Sequence, residues 1–157
     1  MGDRMTGKEY MLQYWKAKVE VRRLESQKAS IKDLLGNVTV DPSSEHVQTS
    51  RDPDQSGKLV AKLSDIQEKL DNERLLAVSL MDEIYEAVNK LEDPDEQLIL
   101  QMRYIKMLPW SKVDKEMQKS QRYYSMEWMM KHHHHALKEI ERITNCTVIY
   151  NSDSDMV

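Results

Sequence analysis

The sequence predicts an all-α protein, with a long antiparallel helical hairpin of coiled-coil type followed by a trihelical helix-turn-helix module. Three observations favour this fold class. The 157 residues include only four glycines and four prolines, and 32% of them are charged, which is typical of long helices rather than of turn-rich β folds. Apolar residues recur at helical spacing along most of the chain. Residues 37–57, rich in serine and aspartate and containing two prolines, interrupt that pattern and predict a flexible linker.

The first helix is predicted from about Thr6 to Leu35. Thr6 and Glu9 have the spacing of a capping box, in which each side chain accepts a hydrogen bond from the backbone N–H of the other residue. An apolar stripe along this helix is expected to face a partner. Its members are Leu12, Trp15, Val19, Leu24, Ile31 and Leu35.

The second helix carries the most regular apolar pattern in the chain. Its apolar residues follow the 4-3-4-3 spacing of a heptad repeat, which Glu73 interrupts once. They are Leu59, Leu63, Ile66, Leu70, Ala77, Leu80, Ile84, Ala87 and Leu91. Such a stripe needs a partner that buries it. The first helix, folded back across the linker, would give a hairpin, and a second copy of the chain would give a homodimer; both remain open. Residues 1–92 are thus predicted to form one helical domain.

Residues 93–143 are predicted to form the helix-turn-helix domain. Asp93 at a cap and Pro94 at the first helical position are typical of a helix N-terminus. This helix is expected to end near Leu108, and a short helix follows Pro109. A long last helix runs to about Ile143, and residues 144–157 form a C-terminal tail. The core of the three helices is expected to contain Trp110, Val113, Met117 and Trp128.

Charge is distributed unevenly along the chain. The net charge is −4, but residues 103–138 contain eight Lys and Arg against three Asp and Glu, a net charge of +5. Residues 1–102 carry a net charge of −6, and residues 139–157 one of −3. Because binding of a polyanion responds to local charge, the basic segment predicts double-stranded DNA as a partner. A merely solvated helix surface is the alternative explanation.

The 93–143 segment contains Asp93-Pro94, Arg103-Tyr104-Ile105, Trp110 and a serine-capped helix with His133-x-x-Ala136-Leu137. In these motifs it resembles the C-terminal module of RinA/ArpU-type phage late-transcription regulators, whose helix-turn-helix is similar to region 4 of sigma factors. The resemblance implies a sequence-specific DNA-binding regulator that activates phage late genes in the cytoplasm of a bacterial host. It also implies host RNA polymerase as a further partner.

Either of two serines could cap the recognition helix. Ser120 lies at the distance from Trp110 that is usual in the RinA/ArpU-type family, whereas Ser125 lies at the family's usual distance from His133. Ser125 is preferred, and residues 118–124 would then form an extended turn. In that register Glu127 and Lys131 would reach base edges, and the preceding helix and turn would contact phosphates. The DNA-binding candidates are Lys112, Lys115, Lys119, Gln121, Arg122, Tyr123, Tyr124, Ser125, Glu127, Lys131 and His133.

No catalytic motif, cofactor site or metal site is predicted. Four consecutive histidines, 132–135, sweep the whole circumference of a helix, and no cysteine or carboxylate lies at ligand spacing beside them. Gly-rich phosphate loops and nucleophile motifs are absent, and the lone Cys146 has no activating neighbour in the sequence. No apolar run is long enough for a membrane span, and no secretory signal is recognisable at residues 1–8. We therefore expect a protein that is not an enzyme and does not enter a membrane.

Two other classes of protein share part of this pattern. A small-terminase-like DNA-packaging protein would also join a helix-turn-helix to a helical oligomerisation region. A protein-interaction module that acts through its coiled coil would need no DNA at all. The uneven charge and the resemblance favour the regulator.

Overall fold

The computed structural model describes residues 4–36, 53–122 and 125–154, and every regular element in these ranges is helical. They form α1 (Gly7–Gly36), α2 (Pro53–Asn89), α3 (Pro94–Leu100), a π-helical segment (Gln101–Ile105), α4 (Trp110–Met117) and α5 (Met126–Ser154). The all-α prediction is confirmed for this part of the chain. None of the described helices is long and apolar enough to cross a membrane.

The described helices begin largely where the local sequence predicts. The capping box of α1 is present, since Thr6 N–H donates to Glu9 Oε2 and Glu9 N–H donates to Thr6 Oγ1, both at 3.1 Å. At α3, Oδ1 of Asp93 accepts from the amide of Asp95 at 2.9 Å, and Pro94 occupies the first turn. Side-chain acceptors near the ends of a helix satisfy N–H groups that the helix itself leaves unpaired.

Two predicted boundaries are wrong. α2 begins at Pro53, so residues 53–57 are helical rather than part of a linker, because proline fits the first turn of a helix. The rest of the predicted linker, residues 37–52, lies outside the described residues. α5 continues to Ser154, well past Ile143, so the backbone of most of the predicted C-terminal tail is helical.

The chain divides into two compact units: unit 1 comprises Met1–Lys16 and Val78–Val157, and unit 2 comprises Ala17–Ala77. Both α1 and α2 contribute to each unit, so these units do not coincide with the predicted boundary at residue 92.

Unit 2 is built from parts of α1 and α2. Its buried cluster consists of Val21, Leu24 and Ile31 from α1 and Ile66 and Leu70 from α2, with Leu35, Leu59 and Leu63 packed against it. At the rim, Arg74 Nη2 donates to Glu25 Oε1 at 3.0 Å, and both side chains are about half exposed. An ion pair this exposed stabilises little, so the apolar cluster holds the two helices together.

The apolar stripe of α1 differs from the predicted one. Trp15 and Val19 are 47% and 42% exposed, whereas Ala17 and Val21 are buried. Heptad positions counted back from Leu24 fall on Val21 and Ala17, whereas the predicted stripe followed Trp15 and Val19.

Unit 1 contains two buried clusters. The first joins the N-terminal part of α1 and the C-terminal part of α2 to the end of α3, the π-helical segment and α5. Its members include Met11, Ile84, Val88, Leu100, Tyr104, Ala136 and Ile140. The second consists of Ile99, Met102, Val113, Met117 and Met129, with Trp110 and Trp128 among the residues packed on it. The predicted core residues of the three helices therefore do pack together, although the two tryptophans lie at its edge.

The first residue of α1 lies against the backbone of α5. A Cβ built on Gly7 would stand 1.9 Å from the carbonyl oxygen of Leu137, a separation that no real Cβ contact allows. We expect Gly7→Ala to lower the free energy of unfolding by about 1–3 kcal/mol, because the backbone of α1 or α5 must shift. The matched change Gly36→Ala meets nothing within 4 Å and should leave stability unchanged or slightly raised.

Denaturant unfolding of both variants measures this difference. Equal stability of Gly7→Ala and Gly36→Ala would contradict the close approach of the two helices.

Candidate functional site

The predicted DNA-binding residues lie on α4, on the turn after it and on the first turns of α5. Most are exposed, namely Lys112, Lys115, Lys119, Gln121, Arg122, Ser125, Glu127 and Lys131, while His133 is partly buried. Tyr123 and Tyr124 lie outside the described residues. Lys112 and Lys115 are three residues apart on α4, so they share one face of that helix. The described residues thus place five exposed cations on two successive helices and the turn between them.

The N-terminus of α5 matches the Ser125 register. Ser125 Oγ accepts from the amide of Trp128 at 3.1 Å, and the Ser125 carbonyl accepts from the amide of Met129 at 3.1 Å. Ser120 lies instead in the turn, where its hydroxyl accepts from the amide of Arg122 at 3.3 Å. Residues 118–125 therefore separate α4 from α5, and Glu127 lies in the first turn of α5.

The two predicted base-reading side chains face each other on α5. Lys131 Nζ lies 3.6 Å from Glu127 Oε1, and about four fifths of each side chain is exposed. Such a pair is worth at most about 1 kcal/mol in water, so either side chain can turn to another partner at small cost. Lys119 makes a similar exposed contact with Glu116 at 3.0 Å.

The Arg103-Tyr104-Ile105 run packs against α4 and α5. The Arg103 guanidinium lies 4.8 Å from the centroid of the Trp110 ring, and its Nη1 donates to the carbonyl of Leu108 at 3.1 Å. Tyr104 Oη shares a 2.8 Å hydrogen bond with His133 Nε2, and His133 meets the Trp110 ring edge-on with centroids 4.6 Å apart. The motif that carries the resemblance therefore holds the three-helix arrangement together.

His133 is not a cation at neutral pH. Burial, and after it the nearby charges of Arg103 and Lys8, together lower the pKa of its imidazole to about 4. Burial also raises the pKa of Tyr104, its hydrogen-bond partner. A contact of His133 with DNA would have to compete with its packing against Tyr104 and Trp110, and it would add no positive charge.

A second group of polar residues joins the start of α3 to α5. Glu96 is buried, with 4% of its surface exposed, and its Oε1 lies 2.7 Å from His135 Nδ1 and 3.2 Å from His132 Nδ1. Asp93 Oδ2 lies 3.4 Å from His132 Nδ1. These carboxylates lie at least 36 residues from the histidines along the chain, so ligand spacing within the sequence did not predict the contact. The i,i+3 spacing of Asp93 and Glu96, which matches that of His132 and His135, is the signal that would have paired them.

A protein-family model matches residues 43–141, which include all of α2, α3 and α4 and both sets of contacts described above. The chain belongs to the family described as Protein of unknown function (DUF1492). The DUF1492 match covers well over half of the chain and ends within α5. No curated protein and no solved structure matches the chain. Every predicted site residue thus lies within residues 43–141, the part of the chain that matches DUF1492.

The cap of α5 can be tested by removing one hydroxyl. We expect Ser125→Ala to lower the free energy of unfolding by about 1 kcal/mol, because the amide of Trp128 loses its acceptor. Ser120→Ala is the matched control and should cost less, since that hydroxyl serves a turn rather than a helix N-terminus. Denaturant unfolding gives both values. A larger loss for Ser120→Ala would contradict the assignment of Ser125 as the cap of α5.

Proposed function

We propose that this DUF1492 protein is a sequence-specific transcription regulator that binds double-stranded DNA, and that it activates phage late genes. One observation carries the proposal. Five exposed cations, Lys112, Lys115, Lys119, Arg122 and Lys131, lie on a short helix, a turn and a Ser125-capped helix that share one apolar core. A helix presented in this way fits the major groove, and flanking cations suit the phosphates on either side.

Each part of this surface has a proposed role. The first turns of α5 enter the major groove, where Glu127 accepts from cytosine N4 and Lys131 donates to guanine. Separating this weak pair releases both side chains for base contacts. Lys112, Lys115 and Arg122 bind phosphates and fix the register of the protein on the duplex. The connection of residues 118–125 is longer than the usual three- to four-residue turn of a helix-turn-helix.

The remaining helices serve protein contacts in this proposal. Residues 1–102 carry a net charge of −6, which disfavours DNA and leaves their exposed surface for a protein partner. We propose a coiled-coil-like hairpin that contacts a second copy of the chain or host RNA polymerase, in the cytoplasm of a bacterial host. The resemblance to RinA/ArpU-type regulators, with their region-4-like helix-turn-helix, supports this assignment.

Selection from a random duplex library followed by binding at several salt concentrations tests the proposal. We expect one enriched sequence and an affinity that falls steeply with salt. Arg122→Ala should weaken binding to all duplexes about tenfold and reduce the salt slope by about one, because a phosphate contact carries no sequence information. Lys131→Ala and Glu127→Ala should instead change the preference at particular base pairs.

Lys62→Ala is the matched control, since Lys62 is an exposed cation on α2 outside the basic segment, and it should bind as the parent does. No enriched sequence and no salt dependence would exclude the regulator and favour a protein-interaction module. A ring-shaped oligomer seen by electron microscopy would favour a small-terminase-like packaging protein instead. Unchanged binding in all three site variants would place the DNA surface elsewhere.

A further inference from the structure

Two pairs of potential metal ligands face each other in unit 1. Asp93 and Glu96 lie three residues apart at the start of α3, and His132 and His135 lie three residues apart on α5. Residues at this spacing share one face of a helix, so each pair projects from a single side. The other two histidines of the run lie on other faces of α5. His133 contacts Tyr104 and Trp110, and His134 is exposed.

The distances within this group suit a small cation. One donor atom each from Asp93, Glu96 and His132 lie within 4.8 Å of one another. Glu96 Oε1 and Asp93 Oδ2 are 3.2 Å and 3.4 Å from His132 Nδ1. Ligand atoms of a four-coordinate zinc ion with bonds of about 2 Å stand roughly 3.3 Å apart. Two of the three donor separations match this value, and three protein donors leave a fourth position for water.

Burial and charge also favour a cation here. The Glu96 side chain is 5% exposed, and the Asp93 carboxylate lies close by with 34% exposed. A second carboxylate beside a buried one is costly unless positive charge compensates the pair. Lys131 lines the same surface depression, but its ammonium lies near Glu127. The depression opens to solvent, which gives an ion a route in.

Neighbouring groups hold the three donors in position. The second oxygen of Asp93, Oδ1, accepts from the amide of Asp95, which leaves Oδ2 directed at His132. The Trp128 ring lies against the His132 ring with centroids 4.3 Å apart. His135 Nδ1 contacts Glu96 Oε1 at 2.7 Å and orients that carboxylate. Such supporting contacts are typical of metal sites, where they fix the direction of each ligand.

We propose that Asp93, Glu96 and His132 bind a divalent first-row transition metal ion such as Zn²⁺, with His135 as a positioning residue for Glu96. Mixed imidazole and carboxylate donors suit Zn²⁺ better than Mg²⁺, which prefers six oxygen ligands. The ion ties the N-terminus of α3 to α5 and stabilises the three-helix arrangement. This site does not depend on DNA binding, so either proposal can fail alone.

Metal binding is measured on the full chain without an affinity tag, after removal of metal with a chelator. Zn²⁺ is titrated in competition with a chromophoric chelator, and Mg²⁺ is titrated in parallel. We expect one equivalent of Zn²⁺ to bind and Mg²⁺ not to compete. The melting temperature should rise by roughly 5–10 °C when free Zn²⁺ exceeds its Kd a hundredfold. No stoichiometric binding, or no rise in melting temperature, overturns the proposal.

Variants separate this site from adventitious binding by the histidine run. Asp93→Asn keeps the helix cap, because asparagine caps as well as aspartate does, and should raise the Kd at least tenfold. Asp95→Asn changes the neighbouring acid on α3, is the matched control, and should bind Zn²⁺ as the parent does.

The histidine variants make a second comparison. His132→Gln should raise the Kd for Zn²⁺ about as much as Asp93→Asn does, whereas His134→Gln should not. Equal affinity of Asp93→Asn and the parent, or an equal loss in His134→Gln, overturns the assignment. Asp93→Asn is preferred to Glu96→Gln because Asp93 is partly exposed and its removal strains the fold less.

Discussion

The contact between the buried carboxylate of Glu96 and the histidines of α5 constrains much of unit 1. A carboxylate that is 5% exposed needs polar partners, and His132 and His135 supply them from α5. Because these two residues must face α3, the rotation of α5 about its own axis is set. Met129, Ala136 and Ile140 then lie in apolar clusters, while Glu127 and Lys131 face solvent.

The same rotation explains how one run of four histidines comes to have three environments. His132 and His135 lie against Glu96, His133 is packed between Tyr104 and Trp110, and His134 is exposed. Both proposals depend on these different surroundings of the four histidines. The DNA proposal needs the outward face of α5 at its N-terminus, and the metal proposal needs the face turned toward α3. The two faces adjoin at Lys131, which lines the depression beside Asp93, Glu96 and His132. An ion there would stabilise the helix that is proposed to read bases and would lie next to one of its proposed base contacts.

Sequence patterns predicted the features that depend on neighbours along the chain. The capping box at Thr6, the cap at Asp93 and the start of α5 after Ser125 follow from hydrogen bonds within three residues, and each is present. The apolar stripe of α2 is likewise buried or partly buried, because heptad spacing over many turns defines one face.

Features set by contacts between residues far apart in the sequence were missed. Trp15 was expected in the buried stripe because of its approximate helical spacing, yet the packing of α1 buries Ala17 and Val21 instead. Glu96 and His132 lie 36 residues apart in the sequence and meet because α3 packs against α5. The matching i,i+3 spacings of the two pairs were a local sign of this contact, but they do not by themselves show that the two helices meet.

A double-mutant cycle between Glu96 and His135 tests this account of α5 most directly. The free energy of unfolding is measured by denaturant titration, with a metal chelator present, for Glu96→Gln, His135→Gln and the double variant. We expect a coupling free energy of about 1 kcal/mol or more between the two changes, whereas the effects of Glu96→Gln and His134→Gln should be additive. Additivity within about 0.5 kcal/mol for the Glu96 and His135 pair would contradict the claim that this contact holds α5 against α3.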